Sequence, residues 1–179
     1  MNNFSLGRQR GAVLVICMII LLMLTLIGVS GARSVILQEK MTSASRDAQL
    51  ALQVAESTVR AAEKDVNGLV DTSAFSASGT DGLYTEGDAP ADLFAAATWN
   101  AGVSRDVTIT MDGKTFTGHY FIEMAGEIDP EAVAGKTEVA GTNNVVASSG
   151  NIKVFRIVAM GEGLAKTERV IVTHHGKLL

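Results

Sequence analysis

The sequence predicts an α+β chain: one long N-terminal helix, apolar and then amphipathic, packed on a four-stranded antiparallel sheet. Three observations predict it. An uncharged apolar run opens the chain, and an apolar stripe of helical period follows it without a break. Beyond Gly68 the pattern changes to alternating segments separated by Gly- and Asp-containing turns. Composition agrees. The 179 residues are 47% hydrophobic, 19% charged and 5% aromatic, with a mean hydropathy of +0.25, 18 Gly and 2 Pro. Such a chain has apolar surface for a core, and too little Pro, Gly or charge for a disordered or collagen-like one. Its formal charge of −4 argues against a nucleic-acid binder held by a basic stripe. The single cysteine, Cys17, excludes an internal disulfide and a thiolate metal cluster.

The first element is the run from Gly11 to Ala32, 22 residues without a charge between Arg10 and Arg33. A membrane-spanning helix needs about 20 apolar residues, whereas the apolar region of a secretory signal is about 7–15. The run therefore reads as a span, with cleavage near Ser30-Gly31-Ala32 as the alternative reading. Arg8 and Arg10 precede it with no acid nearby, while Arg33 and Lys40 beyond it are diluted by Glu39 and Asp47. The positive-inside rule then places the N-terminus in the cytoplasm and the bulk of the chain across the membrane.

The second element continues the first. Leu37, Met41, Ala44, Ala48, Ala51, Ala55, Val59, Ala62 and Val66 recur at steps of three or four, which is one helical face. No Pro interrupts Ala12 to Asn67, and Asn67-Gly68 reads as a C-cap. Glu56 and Arg60 form an i,i+4 pair in the favoured order. One helix of about 55 residues, roughly 80 Å long, follows. A membrane anchor joined to an unrelated coiled-coil stalk fits the same periodicity.

Residues 68–104 read as loop, with a short helix over Ala91–Trp99 anchored by Leu93, Phe94 and Trp99. Arg105–Met111 alternates as a strand with Val107, Ile109 and Met111 on one face. Asp112-Gly113 is a turn, and Thr115–Met124 continues with Phe116, Gly118, Tyr120 and Ile122 on one face. Asp129-Pro130 suits a single helical turn, and residues 134–151 read as loop. Ile152–Met160 and Arg169–Thr173 complete the sheet around Gly161-Glu162-Gly163.

Chemistry-bearing patterns are weak. His174 and His175 are adjacent in a strand and point to opposite faces, so they do not share a metal, and His119 stands alone. Gly113-Lys114-Thr115 and Gly135-Lys136-Thr137 lack the first glycine of a phosphate loop. Ser148-Ser149-Gly150 lacks the first glycine of a nucleophile elbow. Asp71, Asp81, Asp88 and Asp92 lack calcium-loop spacing. No catalytic residue, metal site or cofactor is expected, and an enzyme is not.

A short basic leader ending in glycine, with an apolar run starting at the next residue, resembles a type IV prepilin. Arg8, Gln9 and Arg10 form that leader, and Gly11-Ala12 matches the junction cut by the prepilin peptidase. More narrowly, residues 8–63 resemble the PilX-type minor pilins, on Glu39-Lys40-Met41, Ser45-Arg46-Asp47, and Ala55-Glu56 before Arg60. Tyr120-Phe121-Ile122-Glu123, and Phe155-Arg156-Ile157 before Gly161, suit the same group. The resemblance implies a leader over 1–11, a membrane-spanning half-helix over 12–33, an amphipathic half over 34–67 and a pilin head over 68–179. It implies storage in the inner membrane with a periplasmic head, then entry into an extracellular fibre. Its partners would be other minor pilins, the major pilin and a tip adhesin, with no nucleic acid. Most major pilins place a glutamate five residues into the mature chain, where this sequence has Ile16. Two readings follow: a subunit that packs more apolarly, or one with nothing above it, at the tip that starts the fibre. A type II secretion pseudopilin shares these N-terminal features, and a single-span or secreted binding protein is the remaining alternative. Most pilins close the sheet with a disulfide, which Cys17 alone cannot form, so a marginal head is expected.

Overall fold

The computed structural model describes residues 10–129 and 151–179; the expected turn at Asp129-Pro130 and the loop 134–151 fall largely outside them. The chain divides after Ser45 into two compact units. The first is the beginning of α1 (Arg10–Gly68), an uninterrupted helix of 59 residues. Nothing in its sequence breaks it: there is no Pro, and Thr25 turns its hydroxyl back to the Leu22 carbonyl at 2.8 Å.

The second unit, Arg46–Leu179, contains the rest of α1 and the sheet. Five strands form it: β1 (Leu83–Tyr84), β2 (Arg105–Met111), β3 (Lys114–Ile128), β4 (Ile152–Glu162) and β5 (Glu168–Leu178). β3 is central. β2 and β4 flank it antiparallel, β5 pairs antiparallel with β4, and β1 lies parallel to β3 at Leu83↔Ile122 and Tyr84↔Glu123. The expected sheet of four antiparallel strands thus gains a short parallel fifth. Two residues, both buried, are too few to show a period in the sequence. β2 has the expected bounds. β3 runs on to Ile128 through an irregularity between Met124 and Gly126, and β5 runs on to Leu178.

Each face of the sheet carries its own core. Toward α1 lie Tyr120, Ile122, Phe155, Ile157 and Ala159, closed by Ala62 and Val66 of the helix and by Phe75 and Leu83 of the segment between. On the other face Phe121, Val158 and Met160 pack under Tyr84 and Trp99. The rings of Tyr84 and Trp99 stand 5.7 and 5.8 Å from Phe121. Burying a ring such as Phe121 is worth about 3 kcal/mol, so residues 69–104 contribute core and not only loop.

The short helix expected at Ala91–Trp99 is reduced to a 3-10 turn over Ala96–Trp99. Its first carbonyls are taken instead: Thr98 Oγ1 donates to Asp92 O at 2.7 Å, and Trp99 Nε1 to Leu93 O at 3.1 Å. Leu93 and Trp99 are anchors as expected, whereas Phe94 is 83% exposed among the described residues. At the far end, α1 has no basic residue in its last turn. Lys177 supplies one from β5, donating to Asn67 O at 2.8 Å and to Leu69 O, while His175 Nε2 lies 3.1 Å from Asn67 Oδ1.

Candidate functional site: the N-terminal helix and its seam with the sheet

In the first unit, Gly11 and Ala12 stand in the first turn of α1, and Ile16 lies one turn further on. From Gly11 to Ser45 every residue is exposed, Ile16 among them. The helix is long and apolar enough to cross a membrane, with a mean hydropathy of 3.1 in its best window. Gly11–Ala32 presents no carboxylate, so the charge that a glutamate at the position of Ile16 would bring is missing. A charged group in hydrocarbon is costly and needs a partner; Ile16 needs none.

The predicted packing stripe divides along its length. Leu37, Met41 and Ala44 are exposed, and nothing in their own unit covers them. Ala48 is half-buried. Ala51, Ala55 and Ala62 are fully buried, and Val59 packs against the helix-side core. Small side chains are needed here because the sheet answers with glycines. A Cβ on Gly161 would lie 2.3 Å from Ala55 N and 2.5 Å from Ala51 O, and one on Gly118 would lie 1.8 Å from Thr58 Oγ1. Helix backbone and strand backbone thus meet almost directly.

Four residues at this seam were missed by the sequence reading: Val54, Thr58, Asp47 and Asp65. Thr58 is buried with its hydroxyl donated to Val54 O at 2.8 Å, which satisfies it without a partner in the sheet. Asp47 had a visible signal, being four residues before Ala51 on the same face. Its carboxylate accepts the amides of Ala165 at 2.9 Å and Thr167 at 3.2 Å. It therefore holds the β4–β5 turn, whose Lys166 takes a left-handed φ of 64°. The Thr167 hydroxyl, then the Ala165 amide, hold this carboxyl below its ordinary range. No residue with a Cβ fits at Gly163, where that atom would lie 2.6 Å from Asp47 Oδ1.

At the other end of the seam, Asp65 Oδ2 accepts the Tyr120 hydroxyl at 2.5 Å and Arg105 Nη1 at 3.0 Å. Arg105 also reaches Asp81 at 2.8 Å. Burial, reinforced by the Asp65 carboxylate, pushes the Tyr120 phenol up to about 12. On the sheet itself, Glu123 is buried but receives Arg156 at 2.5 Å and the Gly87 amide at 2.9 Å. Among the described residues the two buried carboxylates, Asp47 and Glu123, are each held by a structural tie.

Among the described residues no group of three or more His, Cys, Asp or Glu side chains is placed to hold a metal ion. His119 pairs with Asp106 at 2.6 Å, and His174 and His175 point to opposite faces of β5. What the arrangement offers is an apolar helix to be covered by other molecules and a head fastened to its far half. No curated protein and no solved structure matches the chain. Residues 10–60 match the family model described as PilX N-terminal, so this segment of the chain is similar to the N-terminal segment of that family.

Proposed function

We propose that the chain is a minor pilin that primes type IV pilus assembly at or near the fibre tip, in support of twitching motility and adhesion. The observation that carries this reading is the uncharged helix from Gly11 to Ala32 with Ile16 in place of a carboxylate. In a fibre whose subunits join through a buried glutamate and the amine of a neighbour, a subunit with Ile16 offers its amine but receives none. It is suited to come first. The prepilin peptidase cuts between Gly11 and Ala12, and Ala12 becomes the N-methylated mature end. Until assembly the subunit is stored in the inner membrane, N-terminus in the cytoplasm and head in the periplasm. It then exchanges lipid contacts for other minor pilins, the major pilin and a tip adhesin. The role is structural and not enzymatic.

The mature N-terminus tests this. A chain from a piliated host should begin at methylated Ala12, and Gly11→Val should leave the leader attached. Normal processing of that variant, or a start at Arg33, would overturn the reading.

A further inference from the structure

The end of α1 carries the one Asn-Gly pair of the sequence, Asn67-Gly68. Such a pair has a chemistry of its own. The backbone nitrogen of the residue after an asparagine can attack the side-chain Cγ, and a following glycine, having no Cβ, hinders that attack least. The bond from Gly68 N to Asn67 Cγ forms and the Cγ–Nδ2 bond breaks. Water carries the Gly68 amide proton to the departing nitrogen, which leaves as ammonia. A second water then opens the succinimide ring at one carbonyl or the other, to aspartate or to isoaspartate. Both residues are exposed, and a Cβ on Gly68 would meet nothing within 4 Å, so solvent reaches the pair and no neighbour obstructs ring closure.

The helix holds this reaction off. The five-membered ring contains the Asn67 Cα–C bond, whose ψ must leave the helical value of about −42°. The Gly68 amide, which points along the axis as a helix amide does, must turn toward the side chain. The last turn therefore has to open first. It has no basic residue of its own to close it, and β5 supplies the hold. Lys177 Nζ donates to Asn67 O at 2.8 Å and to Leu69 O, so it grips the chain on either side of Gly68. His175 Nε2 lies 3.1 Å from Asn67 Oδ1 and fixes the side-chain amide.

We propose that Asn67-Gly68 is a self-modification site, and that Lys177 and His175 keep it shut while β5 is docked on the end of α1. The change runs one way. Aspartate puts a carboxylate at the negative end of the helix dipole. Isoaspartate reroutes the main chain through the side chain, lengthening it by a methylene, and the carbonyl that Lys177 holds becomes a free carboxylate. A chain so marked has lost the geometry in which β5 closes the helix. The inference concerns the second unit and does not rest on the fibre role proposed above.

The test keeps the full-length chain in detergent micelles and mildly alkaline buffer, folded or in urea, and follows the peptide carrying residue 67 by mass and by isoaspartate content. In urea, Asn67 should convert ahead of Asn100 and Asn151. In the fold it should convert about tenfold more slowly or slower still, because a charge-assisted hydrogen bond suppresses local opening by that order. Lys177→Ala should recover most of the difference with the head still folded, whereas Lys177→Arg should stay near the parental rate. His175→Ala replaces Lys177→Ala if that variant does not fold. Gly68→Ala, which has room for its Cβ, should suppress conversion in urea and in the fold alike. Equal rates in the folded and unfolded parent, a folded Lys177→Ala or His175→Ala chain at the parental rate, or no lead of Asn67 in urea would overturn the proposal. Gly11→Val processing is read separately, so failure here leaves the prepilin reading standing.

Discussion

Gly161 shows how far a single hydrogen atom matters at the seam. The three atoms nearest to a Cβ there are helix backbone, Ala55 N, Ala51 O and Val54 C, and none of these can rotate away. Gly161→Ala should cost about 2–3 kcal/mol, or roughly 10 °C in the melting temperature of the head. Gly118 differs in kind, because its nearest neighbour is the side chain of Thr58. Gly118→Ala should be partly rescued by Thr58→Ala, whereas no side-chain change on α1 should rescue Gly161→Ala. A double-mutant cycle separates the two cases. Tyr120 carries a second prediction. Its phenol ionises near 12 in the fold and near its ordinary 10.0 in the unfolded chain. The protonated form is therefore favoured by folding: that contribution is fully present below pH 10 and lost as the pH rises through 12. Tyr84 is raised too, by burial, and these are the two tyrosines of the chain. Tyrosinate absorbance of the native protein should lag behind that of the unfolded chain, and Tyr120→Phe should remove the component near 12.

Between elements, the tie that fixes the β4–β5 hairpin to α1 is Asp47. Its carboxyl sits below its ordinary 3.8, held there by the Thr167 hydroxyl and the Ala165 amide. The ionised form is thus favoured by folding; its contribution is present above pH 3.8 and disappears as the pH falls through the lowered folded value. Asp71 and Glu127 are lowered as well, through Ser73 and through Lys153 with Asn151, and act with the same sign. Asp47→Asn should melt lower at neutral pH and lose less stability on acidification than the parent, with a residual acid dependence from the other two. An unchanged melting curve would mean the turn does not need this tie. Asp47 also marks what was legible in the sequence. The alternating run of β2, bounded by Asp112-Gly113, reads directly because period and turn agree. β1 does not, since Leu83 and Tyr84 are too short to show a period and pair through distant partners. β5 reads short because its second half, His174 to Lys177, looks polar; two of those residues, His175 and Lys177, are tied to the end of the helix. For the stripe, Leu37, Met41 and Ala44 look the same as Ala51 and Ala55 in sequence, but the first three are exposed and the last two are buried against the sheet. Periodicity reports a face and not what covers it.

At the scale of the whole chain, two compact units on one helix answer to different solvents. Folding of the head depends on residues from Arg46 onward, where the burial is. Gly11–Ala32 is exposed throughout among the described residues, and it is long and apolar enough to cross a bilayer. In a bilayer each Leu, Ile or Val at the middle of a span contributes about 0.5 kcal/mol, while one arginine there costs about 3 kcal/mol. Leu22 lies at the middle of this run and is exposed. Leu22→Arg should therefore cancel the contribution of roughly six apolar residues. A smaller fraction of the chain should stay with membranes after alkaline extraction. The same substitution should leave the melting of the head unchanged, because Leu22 belongs to the first unit and the core of the head to the second. Gly161→Ala should do the converse, lowering the melting temperature without releasing the chain from the membrane. If Leu22→Arg destabilised the head, or Gly161→Ala loosened the anchor, the two units would be coupled through α1. For the role proposed above, independence of the two units would let the anchor exchange lipid for neighbouring helices while the head keeps its fold.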